Sequence, residues 1–164
     1  MWLDLRDIIE MPGASKDFST NPAPEALLLP PILGFRTPPS ASGTVSNTAG
    51  VLTLRGRLWA QMRCVCDRCG REFDRDKTVE TAVPLADVPE DRDDGVSYPL
   101  EGDGIDVDRV MTDCFLLDAE GQWLCRPDCK GLCPVCGKNR NDGPCGCRQN
   151  VDPRFAVLEQ LLDK

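Results

Sequence analysis

Six of the ten cysteines in this 164-residue chain crowd into 23 residues, from Cys125 to Cys147, and the chain has no histidine. The cluster reads Cys125-x3-Cys129-x3-Cys133-Pro134-Val135-Cys136-Gly137, then Cys145-Gly146-Cys147. Cys133-Pro134-Val135-Cys136-Gly137 has the form of a zinc knuckle. Two thiolates stand three positions apart on a tight turn, and the glycine tolerates the positive φ that aims backbone N–H groups at sulfur. Without histidine, any such site is built from sulfur or carboxylate. Ser-His-Asp and Cys-His catalysis are excluded on the same ground.

A tetrahedral zinc ion takes four ligands, so six thiols leave two over. Cys66-Asp67-Arg68-Cys69-Gly70 supplies a second Cys-x2-Cys pair, which brings the total to eight, enough for two four-sulfur sites. Two arrangements are open, with one or two zinc ions. Either Cys133, Cys136, Cys145 and Cys147 share one ion while Cys66 and Cys69 meet Cys125 and Cys129 at a second, or a single ion sits in the C-terminal cluster and Cys66 and Cys69 stay as reduced thiols. An iron–sulfur cluster is the rival metal centre, since it also uses four thiolates. Cys114 falls on the apolar face of a helical pattern and is expected in the core, as a small hydrophobe. Cys64 has no partner at ligand spacing except Cys66 and is left unassigned.

The expected fold class is α+β: a small antiparallel β-sheet domain with few helices and a C-terminal cysteine-rich zinc-binding segment. Residues 1–42 read as an N-terminal segment and a Pro-rich connector, because six prolines between Asn21 and Ser42 deny backbone donors and fix φ. Residues 43–122 form a β-rich domain. In it Leu52, Leu54, Leu58, Ala60 and Met62 alternate with polar neighbours in one arm of a hairpin, and a further strand is expected over Thr78 to Leu85. An acidic loop follows from Asp87 to Gly95, then a helix over Ile105 to Leu117 with Val107, Val110, Met111 and Cys114 at three-and-four spacing. Residues 123–149 are the zinc-binding segment. Residues 150–164 are expected as a docking helix, capped by Asp152 and opened by Pro153.

No stretch reaches the roughly 18 consecutive apolar residues that a membrane span requires. Asp4, Asp7 and Glu10 stand where a secretion signal needs a basic and then an apolar region, so a cytoplasmic location is expected. In that reducing compartment ten cysteines are metal ligands more economically than a disulfide scaffold. A net charge of −8 argues against broad nucleic-acid binding, but the charge is unevenly placed. Residues Arg55 to Lys77 hold seven basic and four acidic side chains, Glu80 to Asp113 two basic and eleven acidic, and Trp123 to Arg154 six basic and three acidic. The two cysteine-bearing segments are locally positive and the segment between them is strongly negative.

Several motifs follow in order along the chain: Cys66-Asp67-Arg68-Cys69 after a strand, the acidic stretch ending Gly104-Ile105-Asp106-Val107, and Cys129-Lys130-Gly131-Leu132-Cys133-Pro134-Val135-Cys136-Gly137-Lys138-Asn139. They continue through Cys145-Gly146-Cys147 to Asp152-Pro153-Arg154-Phe155-Ala156-Val157-Leu158. In these motifs and their order the chain resembles the YceD family of bacterial and plastid proteins. Cys64, Cys114 and Asn139-Arg140-Asn141, where the family usually has leucine between the asparagines, depart from the pattern. The resemblance implies a role in large ribosomal subunit assembly or ribosomal RNA accumulation, without catalysis. Some members keep the first cysteine pair without the C-terminal cluster, which implies that the cluster is structural.

On that reading Arg68, Lys130, Lys138, Arg140 and Arg148, with Arg63 and Arg71 near the hairpin, are candidate contacts to ribosomal RNA or a ribosomal protein. Alternatively they are ordinary solubilising charges. The acidic segment would suit a basic ribosomal protein as partner. A different class of function, thiol–disulfide exchange at Cys66-x2-Cys69, is weakened because no helix is expected to follow the pair and lower its pKa.

Overall fold

The computed structural model describes residues 1–86, 97–118 and 121–147. Its frame is set by β5 (Val51–Val65), where residues 52, 54, 58, 60, 62 and 64 are buried and their odd-numbered neighbours face out. Side chains alternate across a strand, so this pattern turns one face of the 15-residue strand, about 50 Å long, into core. β4 (Ser40–Thr48) pairs antiparallel with β5 from Ser40↔Trp59 to Thr48↔Val51. Ala49 (φ 53°) and Gly50 (φ 89°) make the two-residue turn, the doubly left-handed kind that matches strand twist. β6 (Glu72–Ala86) pairs with β5 on its other side along almost its whole length, from Leu52↔Leu85 to Val65↔Glu72. The turn between β5 and β6 therefore lies at one end of a long hairpin, and it carries Cys66 and Cys69.

The sheet is completed by β2 (Ser15–Thr20) against β4, and by β3 (Ile32–Phe35), which takes the edge of β5 beyond the reach of β4. β7 (Tyr98–Pro99) lies parallel to the end of β6. A small second sheet pairs β1 (Trp2–Asp4) with β8 (Gly104–Asp106). The fold is thus the expected mostly β architecture, antiparallel apart from β7. The segment expected as an irregular connector instead carries a 3-10 turn (Pro24–Leu27), β3 and the start of β4. Pro24 opens the 3-10 turn and the other prolines stand between these elements, outside the paired runs, where a missing N–H costs nothing.

Helix α1 (Arg6–Ile9) is a single turn. It is tied to the β4–β5 turn by the buried Asn47, whose Nδ2 donates to the carbonyls of Ile8 and Ile9 at 2.8 and 2.7 Å. Helix α2 (Val107–Leu117) opens on Asp106, whose carboxylate accepts the N–H of Asp108, and buries Val107, Val110, Met111 and Phe115 on the sheet. Phe18, Gly43 and Gly56 form a row across three strands. A Cβ at Gly43 would stand 2.2 Å from the Arg55 carbonyl oxygen, so only glycine lets the strands and the Phe18 ring close up there.

At the cysteine end the inward positions of β6 are charged. Arg75 lies 5.3 Å from the ring centre of the buried Trp123, and Lys77 reaches the carboxylate and carbonyl of Asp118 at 2.7 and 2.8 Å. The expected helix at residues 150–164 and the acidic loop at 87–95 lie outside the described residues.

Candidate metal centre

The turn after β5 folds as a knuckle. The N–H of Cys66 donates to the Arg71 carbonyl and that of Gly70 to the Cys66 carbonyl, each at 2.9 Å, with Gly70 at φ 67°. The same pair of bonds recurs 67 positions later: Cys133 N–H to the Lys138 carbonyl at 2.8 Å and Gly137 N–H to the Cys133 carbonyl at 2.9 Å, with Gly137 at φ 71°. Each glycine sits in the left-handed region that a Cβ disfavours, which is why both pairs read Cys-x2-Cys-Gly.

Chain segments after α2 bring the remaining thiols to the knuckles. Trp123 N–H donates to the Asp67 carboxylate at 2.6 Å and Asp67 N–H to the Trp123 carbonyl at 2.9 Å, which docks the following residues on the first turn. Cys66, Cys69, Cys125 and Cys129 then gather in one cluster and Cys133, Cys136, Cys145 and Cys147 in another, the sulfurs of each all within 4.8 Å of one another. Of the two arrangements open in the sequence, this geometry has the form of the one in which Cys66 and Cys69 meet Cys125 and Cys129.

The spacing fits a metal and not a disulfide. Sulfurs bound tetrahedrally at about 2.3 Å stand about 3.8 Å apart. Cys66 Sγ to Cys129 Sγ is 3.7 Å and Cys69 Sγ to Cys125 Sγ is 3.8 Å. A disulfide would hold its sulfurs at about 2.05 Å, and all ten cysteines are unbridged.

The electrostatics point the same way. Burial opposes ionisation of Cys66, but the backbone N–H groups of Cys125, Cys69 and Arg68 outweigh it and bring the thiol down to about 6. Cys133 is brought to about 6 by the N–H groups of Cys136 and Val135. Cys129 is lowered first by the side-chain amide of Asn141. Once some sulfurs carry charge the others resist it: Cys125 is pushed up to about 12 by burial and its neighbouring thiols, and Cys147 to about 12 by Cys136 and by burial. Four crowded thiols ionise together only around a cation, which reverses that repulsion.

The two clusters differ in exposure. Cys66, Cys69 and Cys129 are buried and Cys125 half-buried, whereas Cys136 and Cys147 are exposed and only Cys133 of the second cluster is buried. Cys64, at 0% exposure, packs in the main core, where burial pushes its thiol up. Cys114 is half-buried against the same core, 3.2 Å from Thr81 Oγ1.

The candidate contact cations surround this end. Arg68 donates to the Cys129 carbonyl at 3.1 Å and Lys138 to the Pro144 carbonyl at 3.1 Å, so each has a local task. The side chains of Lys130 and Arg140 are exposed and make no ion pair or hydrogen bond among the described residues. Arg148 lies outside them. Sequence reasoning missed Asn141, Asp67 and Arg75. The only signal for the first was the Asn-x-Asn spacing in the loop between the second cluster's ligands.

Fold and site together define a β-sheet protein closed at one end by two knuckle-built clusters of four cysteines, each able to hold a metal ion. The chain belongs to the YceD family, described as large ribosomal RNA subunit accumulation protein YceD, whose pattern matches residues 54–162. A maize chloroplast protein named large ribosomal RNA subunit accumulation protein YCED homolog 1 is 36% identical over 160 residues, covering 76% of this chain and 55% of its own. Its Arabidopsis thaliana counterpart is 31% identical over 75 residues, covering 45% of this chain and 23% of its own. An uncharacterized protein of Mycobacterium tuberculosis is 38% identical over 58 residues, covering 35% of this chain and 28% of its own. The chain thus spans between about a quarter and just over half of the length of these relatives. No solved structure matches.

Proposed function

We propose that this chain is a non-catalytic zinc protein that supports accumulation of large-subunit ribosomal RNA by binding that RNA or a ribosomal protein in the cytoplasm. Membership of a family named for that accumulation carries the reading. Zinc is favoured over an iron–sulfur cluster by two knuckles of one geometry and by sulfurs 3.7 and 3.8 Å apart, close enough to share a single ion, and four thiolates on one zinc close the site and leave no position for substrate. The segment 123–149 folds around metal as a unit docked on the sheet. Lys130 and Arg140, exposed and without a side-chain partner among the described residues, are the best-placed RNA contacts, with Arg68, Lys138 and Arg148 as further candidates. No helix among the described residues is long and apolar enough to cross a membrane. Thiol–disulfide exchange at Cys66 and Cys69 has less support, since they are 1% and 7% exposed and exchange needs an accessible sulfur.

Sedimentation of cell extract through a gradient tests the reading. The protein is expected with large-subunit or precursor particles, and cells lacking it are expected to hold less large-subunit RNA. If phosphate is the contact, binding weakens steeply with salt, and replacing both Lys130 and Arg140 by Gln lowers that slope by about 2. Absence from every such fraction, with normal RNA levels in the deletion, would leave the proposal without support.

A further inference from the structure

Residues 137–144 join the two halves of the exposed cluster, Cys133 and Cys136 on one side and Cys145 and Cys147 on the other. Yet this loop reaches across to the buried cluster. Asn141 Nδ2 donates to Cys129 Sγ at 3.3 Å, while Asn141 Oδ1 accepts the Lys130 N–H at 2.8 Å and Arg126 Nη2 at 2.7 Å. With two donors on its oxygen the amide can face the sulfur only with its NH2 group. Asn139 Oδ1 holds that orientation by accepting from the N–H and Nδ2 of Asn141 at 3.0 and 2.8 Å. The loop is fastened to the first knuckle's surroundings by Arg140 N–H to the Gly131 carbonyl at 2.9 Å, a bridge between Leu132 and Asn139, and Arg71 to Asp142 at 2.9 Å. Gly131 itself lies so close that a Cβ would stand 2.9 Å from the Arg68 carbonyl oxygen.

We infer that Asn141 is a positioning residue that couples the two clusters, so that metal in the exposed cluster tightens metal binding in the buried one. The inference rests on the reading of both clusters as metal sites. An ion held by Cys133, Cys136, Cys145 and Cys147 closes the loop at both ends and so keeps Asn141 in place. An N–H donated to a ligating thiolate fixes its rotamer and offsets its charge, and loss of such a partner commonly weakens metal affinity about 10- to 100-fold. Linkage makes the effect reciprocal: filling the buried cluster tightens the exposed one by the same factor. Because the exposed cluster is the one a competing chelator reaches first, its emptying is felt at the buried metal.

The test uses the full chain loaded with cadmium, whose 113Cd resonances report each cluster separately, and competition against a chromophoric chelator. Four proteins are compared: wild type, Asn141→Ala, a variant with Cys136→Ser and Cys147→Ser that empties the exposed cluster, and all three changes together. Wild type is expected to give two resonances in the all-thiolate region. Asn141→Ala is expected to shift the buried-cluster resonance and leave the other in place. Each of the three variants is expected to bind buried-cluster metal about 10- to 100-fold more weakly than wild type, with the combined variant no worse than either parent. Two wild-type resonances but unchanged buried-cluster affinity in the emptied variant would overturn the coupling and leave the metal sites standing. Losses that add in the combined variant would take the coupling away from Asn141. A wild-type protein without thiolate-bound cadmium would overturn both the coupling and the metal reading.

Discussion

At Gly43 and Gly56 the absence of a side chain is what lets three strands and α2 approach, and the two positions differ in what a methyl group would strike. At Gly43 the obstacle is the Arg55 carbonyl oxygen, 2.2 Å from an added Cβ; at Gly56 it is Met111 Sδ, at 2.8 Å. Backbone in the middle of a sheet cannot retreat, whereas a thioether can change rotamer. Gly43→Ala is therefore expected to cost about 3 kcal/mol and Gly56→Ala about 1 kcal/mol, read from denaturant midpoints. Equal costs would contradict the packing described. Tyr98, the chain's one tyrosine, is a second residue-scale probe. Burial first, and then its 2.6 Å hydrogen bond to the Asp113 carboxylate, push its pKa upward. Its ordinary value is about 10, so above that pH the unfolded chain releases the proton while the folded chain keeps it. The stability this contact contributes is accordingly full below pH about 10 and lost as pH rises towards the folded value. Absorbance titration at 295 nm should place the ionisation clearly above the ordinary value, and Asp113→Asn should bring it down; an ordinary midpoint in wild type would contradict the contact.

Among the elements, those whose apolar residues keep a regular period were legible in the sequence. The β4–β5 hairpin and α2 follow alternation and three-and-four spacing. β6 was legible only from Thr78 onward, because its first inward positions after Phe73 are Arg75 and Lys77, which find Trp123 and Asp118 in place of an apolar core. β2 was hidden because Phe18 is its only buried residue. β3 was hidden among prolines that lie at its margins. The knuckles were visible as Cys-x2-Cys-Gly, but the meeting of Cys66 and Cys69 with Cys125 and Cys129 depends on how Trp123 docks on Asp67, which no local pattern encodes. The metal-held segment should behave as an element separable from the sheet. Cys133→Ser replaces a thiolate of the exposed cluster with a poor zinc ligand, so proteolysis should open the chain beyond Cys129, the last ligand of the buried cluster, while the sheet's circular dichroism persists. Unchanged protection of that segment, or collapse of the sheet with it, would contradict this division.

For the molecule as a whole, the long β5–β6 hairpin sets the sulfur clusters at one end and leaves the sheet core at a distance from them. Two metal ions, each held by four thiolates, would replace the apolar core that a segment of this size cannot build for itself. The locally positive charge of the cysteine-bearing segments is then largely offset by thiolates, and under the proposed function a partner would meet a small number of cations, such as Lys130 and Arg140, that are unpaired among the described residues. Whether both clusters are filled is read by native mass spectrometry with elemental analysis of freshly reduced protein. Two zinc ions per chain are expected, both lost when the chain is unfolded with chelator present. A chain without metal, or one holding iron in place of zinc, would contradict that expectation.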